Sequence, residues 1–589
     1  MLILILILIL MLKLSHIDIY NNAKIWLDNQ NQNQEQEYNK DYTNIPYNIS
    51  ISKSIKKIQK QEGYINVIMQ FYIDNNNARQ LEIQQCLFLN CNNNSIDKIY
   101  LLNERYYTND ELGIVSNKII QININKRLSF ECIFNSIQEY NINGFIIISN
   151  SDIFFDKSIE NVKICDFNNK NILALCRYEF DGFSSLKECK LFDNGRPDSQ
   201  DVWILKSNIN IDIKYRNIFN FNMGFPGCDN KILYLFQILG YNCYNEAQLI
   251  KTYHNHNENI RNYNKTDKIP PPYCGLFPNI DTINTIEPHK NTLTFNFSQE
   301  ANKLSDYIQQ KCINSEPFII PRIAGIENQI AFISILLKQN NITALPSNDI
   351  MNKLILTLKN NAGIKISIIP NLFKYGKMYM RAFEVSDIYL TWALWSNVAR
   401  PIFDSLKFMY NNIIKPKICA NTLNIYNNIH GRLWTRELAG KRILIISPFI
   451  ESFKNKINIR ERIYGIDLFP NCEFIFLKPP QTQGSNLSDE FDEELARFIY
   501  KIDQIKDTFD IALVSCGGYG NLVCLEIFNM HKSAIYVGGV LQMYFGVYGN
   551  RWEKECPDIM RIYKNDAWTR PSEEEKPIGH NTIENSCYW

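Results

Sequence analysis

The 16 cysteines include no CxxC pair, so a zinc ribbon or a thioredoxin-like redox motif is excluded on spacing. Scattered thiols in a long chain are expected to be reduced core residues of a cytoplasmic protein. Charge of one sign is also missing: 62 basic and 61 acidic side chains give +1. Without a basic excess there is no electrostatic footprint for nucleic acid or an anionic membrane surface, and neither is expected as a partner. There is no apolar run of the roughly 20 residues that a spanning helix needs. The longest, MLILILILILMLKL at residues 1–14, lacks the basic n-region and small-residue cleavage site of a signal peptide. Membrane association through residues 1–20 is therefore the alternative, and a cytoplasmic location the expectation. The polar tract NQNQNQEQEYNKDYTN (29–44) has too little apolar content for a core and reads as part of a linker over 21–61.

What is present is enough apolar content, 45% of 589 residues, for more than one core. From residue 64 the pattern alternates. Strands are expected at 64–73, 96–104, 114–122, 144–152, 171–180 and 199–206. Helices are expected at 78–93 and 128–140 and from 228 to a stop at Gly240. Such alternation predicts α/β architecture with a mostly parallel sheet, here over 62–280. After a linker at 281–316 the same pattern returns over 317–589. A turn and helix are expected at 321–339, and strands at 441–450, 473–479, 510–520 and 533–539. The fold class is thus α/β, two tandem Rossmann-like domains.

In the stretch NGFIIISNSDIFFD (143–156) an apolar strand runs into Asn150, Ser151 and Asp152. An ionised group at a buried strand end is costly unless a cation meets it. Ligands of open α/β sheets gather at the carboxyl ends of strands, and a hard divalent cation takes carboxylate oxygens while bridging to phosphates. Asp152 is therefore either a metal–diphosphate ligand or a turn residue after a strand. His254 and His256 alternate in YHNH, so on a strand they share a face and can complete a metal site. Arg177 in CRYE is either a bidentate phosphate partner or an ordinary ion pair. Asp229 begins a helix in GCDNKI, as a general base or an N-cap. Asp201, with Trp203 in SQDVWILK, is a candidate to orient an acceptor.

The order of ISNSDIFFD, ALCRYEF, SQDVWILK, NMGFPGCDNKILYLFQILGY and KTYHNHNENIRNY resembles GT-A glycosyltransferases, the nucleotide-diphospho-sugar transferase fold. That resemblance implies a DxD-like donor site in which Asn150 replaces the first acid and Asp152 is kept. It implies a divalent metal, Mn²⁺ or Mg²⁺, on Asp152, His254 and His256, with Asn150, Asp152 and Arg177 as donor-binding residues. It further implies Asp229 as catalytic base, and Asp201 and Trp203 on the acceptor side.

In the second region, DIALVSCGGYGN puts Gly517, Gly518 and Gly520 between a strand and a helix, where unpaired N–H groups attract phosphate; a plain tight turn is the other reading. AIYVGGVLQMYFGVYGNRW adds Gly538, Gly539 and Arg551 as donor-binding candidates. With PRIAGIEN, GKRILIISPF, NDAWTRP and CYW, these pieces resemble GT-D-type glycosyltransferase domains. The resemblance matches Arg322 and Glu327 to that family's acidic element and implies Glu327 as metal ligand or base, with Gly325 where a second acid would stand. The expectation is a GT-A-like domain followed by a GT-D-like domain. Together they would form a glycosyltransferase moving sugar from a nucleotide-diphosphate donor to a glycan or glycoprotein, with one or two active sites. The alternative is a non-catalytic nucleotide-sugar or glycan binder.

Overall fold

The computed structural model describes residues 48–168, 170–208, 211–258, 263–279, 297–343, 345, 349–392, 402–584 and 586–589. The apolar run at 1–20 and the polar tract at 29–44 lie outside the described residues. The first unit contains β1 (Asn48–Ile51), β2 (Ile65–Met69), α1 (Asn77–Asn92), β3 (Lys98–Asn103), β4 (Ile119–Asn123), α2 (Phe130–Glu139) and β5 (Phe145–Ser149). It continues with β6 (Ile153–Phe155), β7 (Asn171–Cys176), β8 (Tyr178–Glu179), β9 (Lys190–Leu191), β10 (Gln200–Lys206), α3 (Cys228–Ile238), β11 (Asn242–Tyr244), β12 (Thr252–His254) and β13 (Cys274–Phe277). A seven-stranded sheet runs in the order β11-β7-β10-β5-β2-β3-β4. Strands β5, β2, β3 and β4 are parallel. Strand β10 is inserted antiparallel between β5 and β7, so the sheet is mixed rather than uniformly parallel. That insertion brings the start of β10 and the ends of β2, β5 and β7 to one edge.

The period of two is visible in the core. Phe145, Ile147, Val202 and Ile204 face one apolar cluster, whereas Ile146, Ile148, Trp203 and Leu205 face another, as alternate residues on a pleated strand must. A four-stranded sheet, β6-β12-β8-β9, stands beside the same edge.

The second unit contains α4 (Phe297–Ile313), β14 (Ile319–Ile320), α5 (Gly325–Gln339), α6 (Asp349–Ala362), α7 (Ile369–Val385), β15 (Arg442–Ile446), β16 (Glu473–Leu477), β17 (Ile511–Val514), α8 (Gly520–Asn529), β18 (Ser533–Tyr536) and α9 (Pro557–Tyr563). These five strands form one all-parallel sheet, in the order β14-β18-β17-β15-β16, and Tyr389–Thr391 and Lys417–Cys419 form a separate parallel pair.

Two expected linkers are partly structural. Strand β1, within the expected 21–61 linker, pairs in parallel with β13, so its backbone groups are satisfied inside the first unit. Helix α4, within the expected 281–316 linker, buries Leu304 and Ile308 in the core of the second unit. No described helix is long and apolar enough to cross a membrane, and all sixteen cysteines are unpaired thiols.

The two units share one apolar cluster. Ile148, Trp203, Leu233 and Phe236 of the first and Trp434, Ile445, Tyr544 and Tyr563 of the second belong to it. Cooperative unfolding follows contiguous buried surface. Calorimetry of the full chain is therefore expected to show one transition. Phe236→Ala should lower it as a whole, by about 3–5 kcal/mol, without splitting it.

Candidate functional site

A cleft of about 500 Å³ opens at the carboxyl ends of β2 and β5. Its walls come from the turns after those strands, from the start of β10, from the segment leading into α3, and from the residues after β12. The two ends of the cleft differ in charge.

At one end Asp152 is nearly buried, at 8% exposure. Its Oδ2 receives Arg79 Nη2 at 2.6 Å and lies 3.3 Å from His254 Nε2 and 3.4 Å from His256 Nδ1. Burial alone would push this carboxyl up, but His254, His256 and Arg79 outweigh it and hold it well below the ordinary carboxylate range. Burial would likewise lower His254, yet Asp152 and Glu179 raise it to about 9. Arg79 sits in the first turn of α1, whose N-cap Asn76 accepts from the Arg79 N–H at 3.0 Å. A cation there opposes the helix dipole by about 0.3–1 kcal/mol. Two carboxylates, Glu82 at 2.8 Å and Asp152 at 2.6 Å, compensate. Glu82 in turn accepts from the backbone of Asn257 and Glu258, which ties the histidine loop to α1.

Asp152, His254 and His256 place one oxygen and two nitrogens within 4.8 Å of one another. That donor set fits a divalent transition metal such as Mn²⁺ better than Mg²⁺, which prefers an all-oxygen octahedron. Arg79 reaches the same oxygen, so a cation seated there shares Asp152 with a guanidinium.

At the other end stand Asp198, Asp201 and Asp229. Asp229 is the second residue of α3, where the dipole favours a carboxylate. Enclosure by the cleft wall and the neighbouring Asp201 and Asp198 nevertheless push it up to about 8. Asp201 is clamped: Arg177 Nη1 donates to it at 2.6 Å and Asn150 Nδ2 at 2.9 Å. Arg177 Nε also donates to Glu179 at 2.7 Å, and Glu179 meets His254 Nδ1 at 3.1 Å. One polar chain therefore links both ends.

Several expected site residues take different roles. Asn150 and Arg177 line the cleft; Asn150 Nδ2 donates to Asp201, and Arg177 donates to Asp201, Ser199 and Glu179, so both help to orient the Asp201 carboxylate. Trp203 is buried against Phe130, with ring centroids 5.0 Å apart. It lies one pleat deeper than Asp201, out of reach of an acceptor. Arg79, Arg127, Asp198 and Tyr72 also line the cleft and were not singled out from the sequence. Arg127 stacks over Phe225 at 4.3 Å, and burial lowers its pKa. Its only pattern signal is a Lys-Arg pair just before a helix, which is too common to isolate.

The second unit's glycines have packing reasons. A Cβ on Gly517 would lie 2.8 Å from the Ala362 carbonyl, one on Gly518 2.4 Å from Ile364, and one on Gly520 2.1 Å from the Tyr536 ring. A Cβ on Gly538 would meet Arg322 at 2.1 Å and one on Gly539 the Tyr588 ring at 2.2 Å. Tight packing on the Cβ side is therefore a sufficient reason for these positions to be glycine. Arg551 pairs with Glu584 at 2.5 Å and Tyr588 at 3.3 Å, which commits it within the chain. Glu327 is buried at the start of α5, and burial followed by Glu584 raises it to about 7 against the pull of Arg322. The space where a Gly325 side chain would project is open, and the acid that acts on Glu327 is Glu584, from the C-terminal segment. None of these second-unit residues lines the cleft of the first.

In open α/β sheets ligands gather at the carboxyl ends of the strands, which is where this cleft lies. No family model and no curated protein matches the chain. Among solved structures, a domain of unknown function 1792, described as having a distinct glycosyltransferase fold, aligns at 12% identity over 48% of this chain and 96% of its own, with a TM-score of 0.23. The mannosyltransferase PcManGT from Pyrobaculum calidifontis, in complex with GDP-Man and Mn²⁺, aligns at 8% identity over 50% and 73%, with a TM-score of 0.20. The apo-form glycosyltransferase GlyE of Streptococcus pneumoniae TIGR4 aligns at 11% identity over 77% and 85%, with a TM-score of 0.22. Likenesses this loose carry no weight for fold or activity, and the functional reading rests on the cleft.

Removing one partner of a buried ion pair strands the other, at a cost of about 3–5 kcal/mol. Arg79→Ala should destabilise the chain by about that much in denaturant titrations. Gly520→Ala should cost about 1–3 kcal/mol through overpacking against Tyr536, measured the same way.

Proposed function

We propose that the chain is a glycosyltransferase whose active centre is the first-unit cleft, with a GT-A-like arrangement there and a GT-D-like second unit. The observation that supports it most is the polarity of that cleft. A metal-capable end, where Arg79 pairs with Asp152, faces an end carrying a carboxyl raised to about 8, as transfer from a nucleotide-diphosphate sugar to a hydroxyl requires. Asp152, His254 and His256 would hold a divalent cation, which would offset the charge growing on the departing diphosphate. Arg79 keeps Asp152 ionised and aimed. Arg127, stacked on Phe225 beside the segment leading into α3, lines the cleft and suits a phosphate oxygen. Asp201, clamped by Arg177 and Asn150, accepts a hydrogen bond from the acceptor. Asp229 takes the proton from the attacking hydroxyl as that oxygen bonds to the anomeric carbon and the bond to the diphosphate breaks. The acceptor is a glycan or glycoprotein.

The second unit favours a different use. Gly325 in place of the second acid of the resembled motif supports ligand binding there more than a second transfer, so the chain is read with one active site. The non-catalytic alternative, for the whole chain, predicts donor binding without turnover.

The test is release of nucleoside diphosphate from UDP-, GDP- and TDP-sugars by the full chain, with and without Mn²⁺. Turnover with one donor, raised by Mn²⁺ and reduced about 100-fold or more in Asp152→Asn, is expected. Retained binding with no turnover for any donor overturns the proposal in favour of the binder.

The base carries a pH signature. It must be ionised to act, so kcat/KM should rise as pH passes through about 8, and Asp229→Asn should abolish that rise. The stability consequence has the opposite sense. A carboxyl raised in the folded state from 3.8 to about 8 binds a proton that the unfolded chain has lost, so stability falls as pH rises from 4 to 8. Asp229→Asn should therefore raise Tm, and more at pH 8 than at pH 5.

A further inference from the structure

The first turn of α3 faces two ways. Asp229 and Lys231 are two residues apart, so their side chains leave opposite sides of the helix. Asp229 looks into the cleft. Lys231 looks away from it into the second unit, where its ammonium pairs with Asp558 in the first turn of α9. Each side chain of the pair is only 5% exposed, although the two positions are 327 apart in the chain. The N-cap of α3 is Gly227, which makes no side-chain capping bond. The turn is held instead by Asn230 Nδ2 on the Cys274 carbonyl at 3.2 Å and by Lys231 on Asp558. Beyond this turn α3 stays against the second unit. Leu233 and Phe236 share a core with Ile429, Trp434 and Tyr563. Gly240, φ +79°, lies so near His430 that a Cβ there would fall 2.6 Å from the His430 Cβ.

A buried ion pair is a poor source of net stability compared with apolar packing of the same volume. It does fix direction, because each charge tolerates only its partner. We infer that the second unit positions Asp229 in the cleft of the first, through the Lys231–Asp558 pair and the first turn of α3. Asp558 is thus a positioning residue in one unit for a carboxyl in the other. The inference takes Asp229's place from geometry alone, and only its catalytic consequence rests on the proposed transfer.

The experiment uses the full chain and no donor, so its outcome does not depend on whether the chain transfers sugar. Hydrogen exchange is followed in peptides spanning 224–238. The Asp229 carboxyl is titrated by infrared difference spectroscopy, its band assigned as the one missing in Asp229→Asn. Asp198, Asp201, Cys228, Arg196 and Tyr273 face Asp229 and stay unchanged in every variant. Asp558→Asn is expected to speed exchange in the first turn of α3 about tenfold and to lower the Asp229 midpoint from about 8 by about 1 pH unit, a tenfold change in its proton equilibrium. Asp558→Glu, which keeps the charge, should hold both near the starting values. The apolar pair Lys231→Met with Asp558→Leu should recover Tm but not the midpoint, since packing replaces stability and not direction. If Asp558→Asn does not fold, the apolar pair decides. An Asp229 midpoint and first-turn exchange unchanged in the folded variants would overturn the inference and leave an ordinary domain contact.

Discussion

The arrangement of the first unit depends on one buried carboxylate. Asp152 ends an apolar strand at a point where water cannot solvate it well, and an ionised group there needs compensation. Arg79 from α1 and two imidazoles, His254 at the end of β12 and His256 just after it, supply it on a single oxygen. This interaction draws together three pieces of chain that are far apart in sequence. Without it the helix start, the β5 end and the histidine loop would have no common anchor. The same concentration of opposite charge makes the spot suited to a cation or a phosphate, so the structural requirement and the chemical opportunity coincide.

From Asp152 the polar order propagates. His254 meets Glu179, Glu179 meets Arg177, and Arg177 meets Asp201, which Asn150 also holds. Hydrogen-bonded chains in low dielectric hold one another in place. The donor end and the acceptor end of the cleft are therefore set by one connected network. Asp229 lies outside it, and its carboxyl is raised because enclosure and two neighbouring acids disfavour its charge. Its helix is set from behind, by a core that runs unbroken into the second unit. The two α/β units thus behave as one packed body whose cleft lies on the first.

Much of the architecture was legible from apolar runs. NGFIIISNSD announced β5 and its polar end, and Ile65–Met69, Arg442–Ile446 and Ile511–Val514 all fall inside stretches whose patterning admits little else. The i,i+2 spacing of His254 and His256 announced a shared face, since a strand repeats every two residues. Trp203 was misread because alternation gives the face of a strand but not the depth along it. Arg79, Glu82 and Glu179 left no local mark, because an ion-pair partner is chosen by where two elements cross. The glycines at 517–520 and 538–539 were ambiguous for the same reason: a missing Cβ makes room equally for a ligand or for a neighbouring helix, and here neighbouring protein occupies it.

By itself the sequence determined the α/β class, the division into two regions and the placing of an acidic group at the end of a greasy strand, because these follow from periodicity and local solvation. Only the tertiary structure decided that Arg79 and two histidines converge on that acid. It alone showed that Asn150 and Arg177 serve Asp201, and that a lysine beside the cleft is paired with an aspartate of the second unit. Those facts depend on which surfaces meet after the chain has folded, and contacts across hundreds of residues are settled by packing geometry that no local pattern encodes.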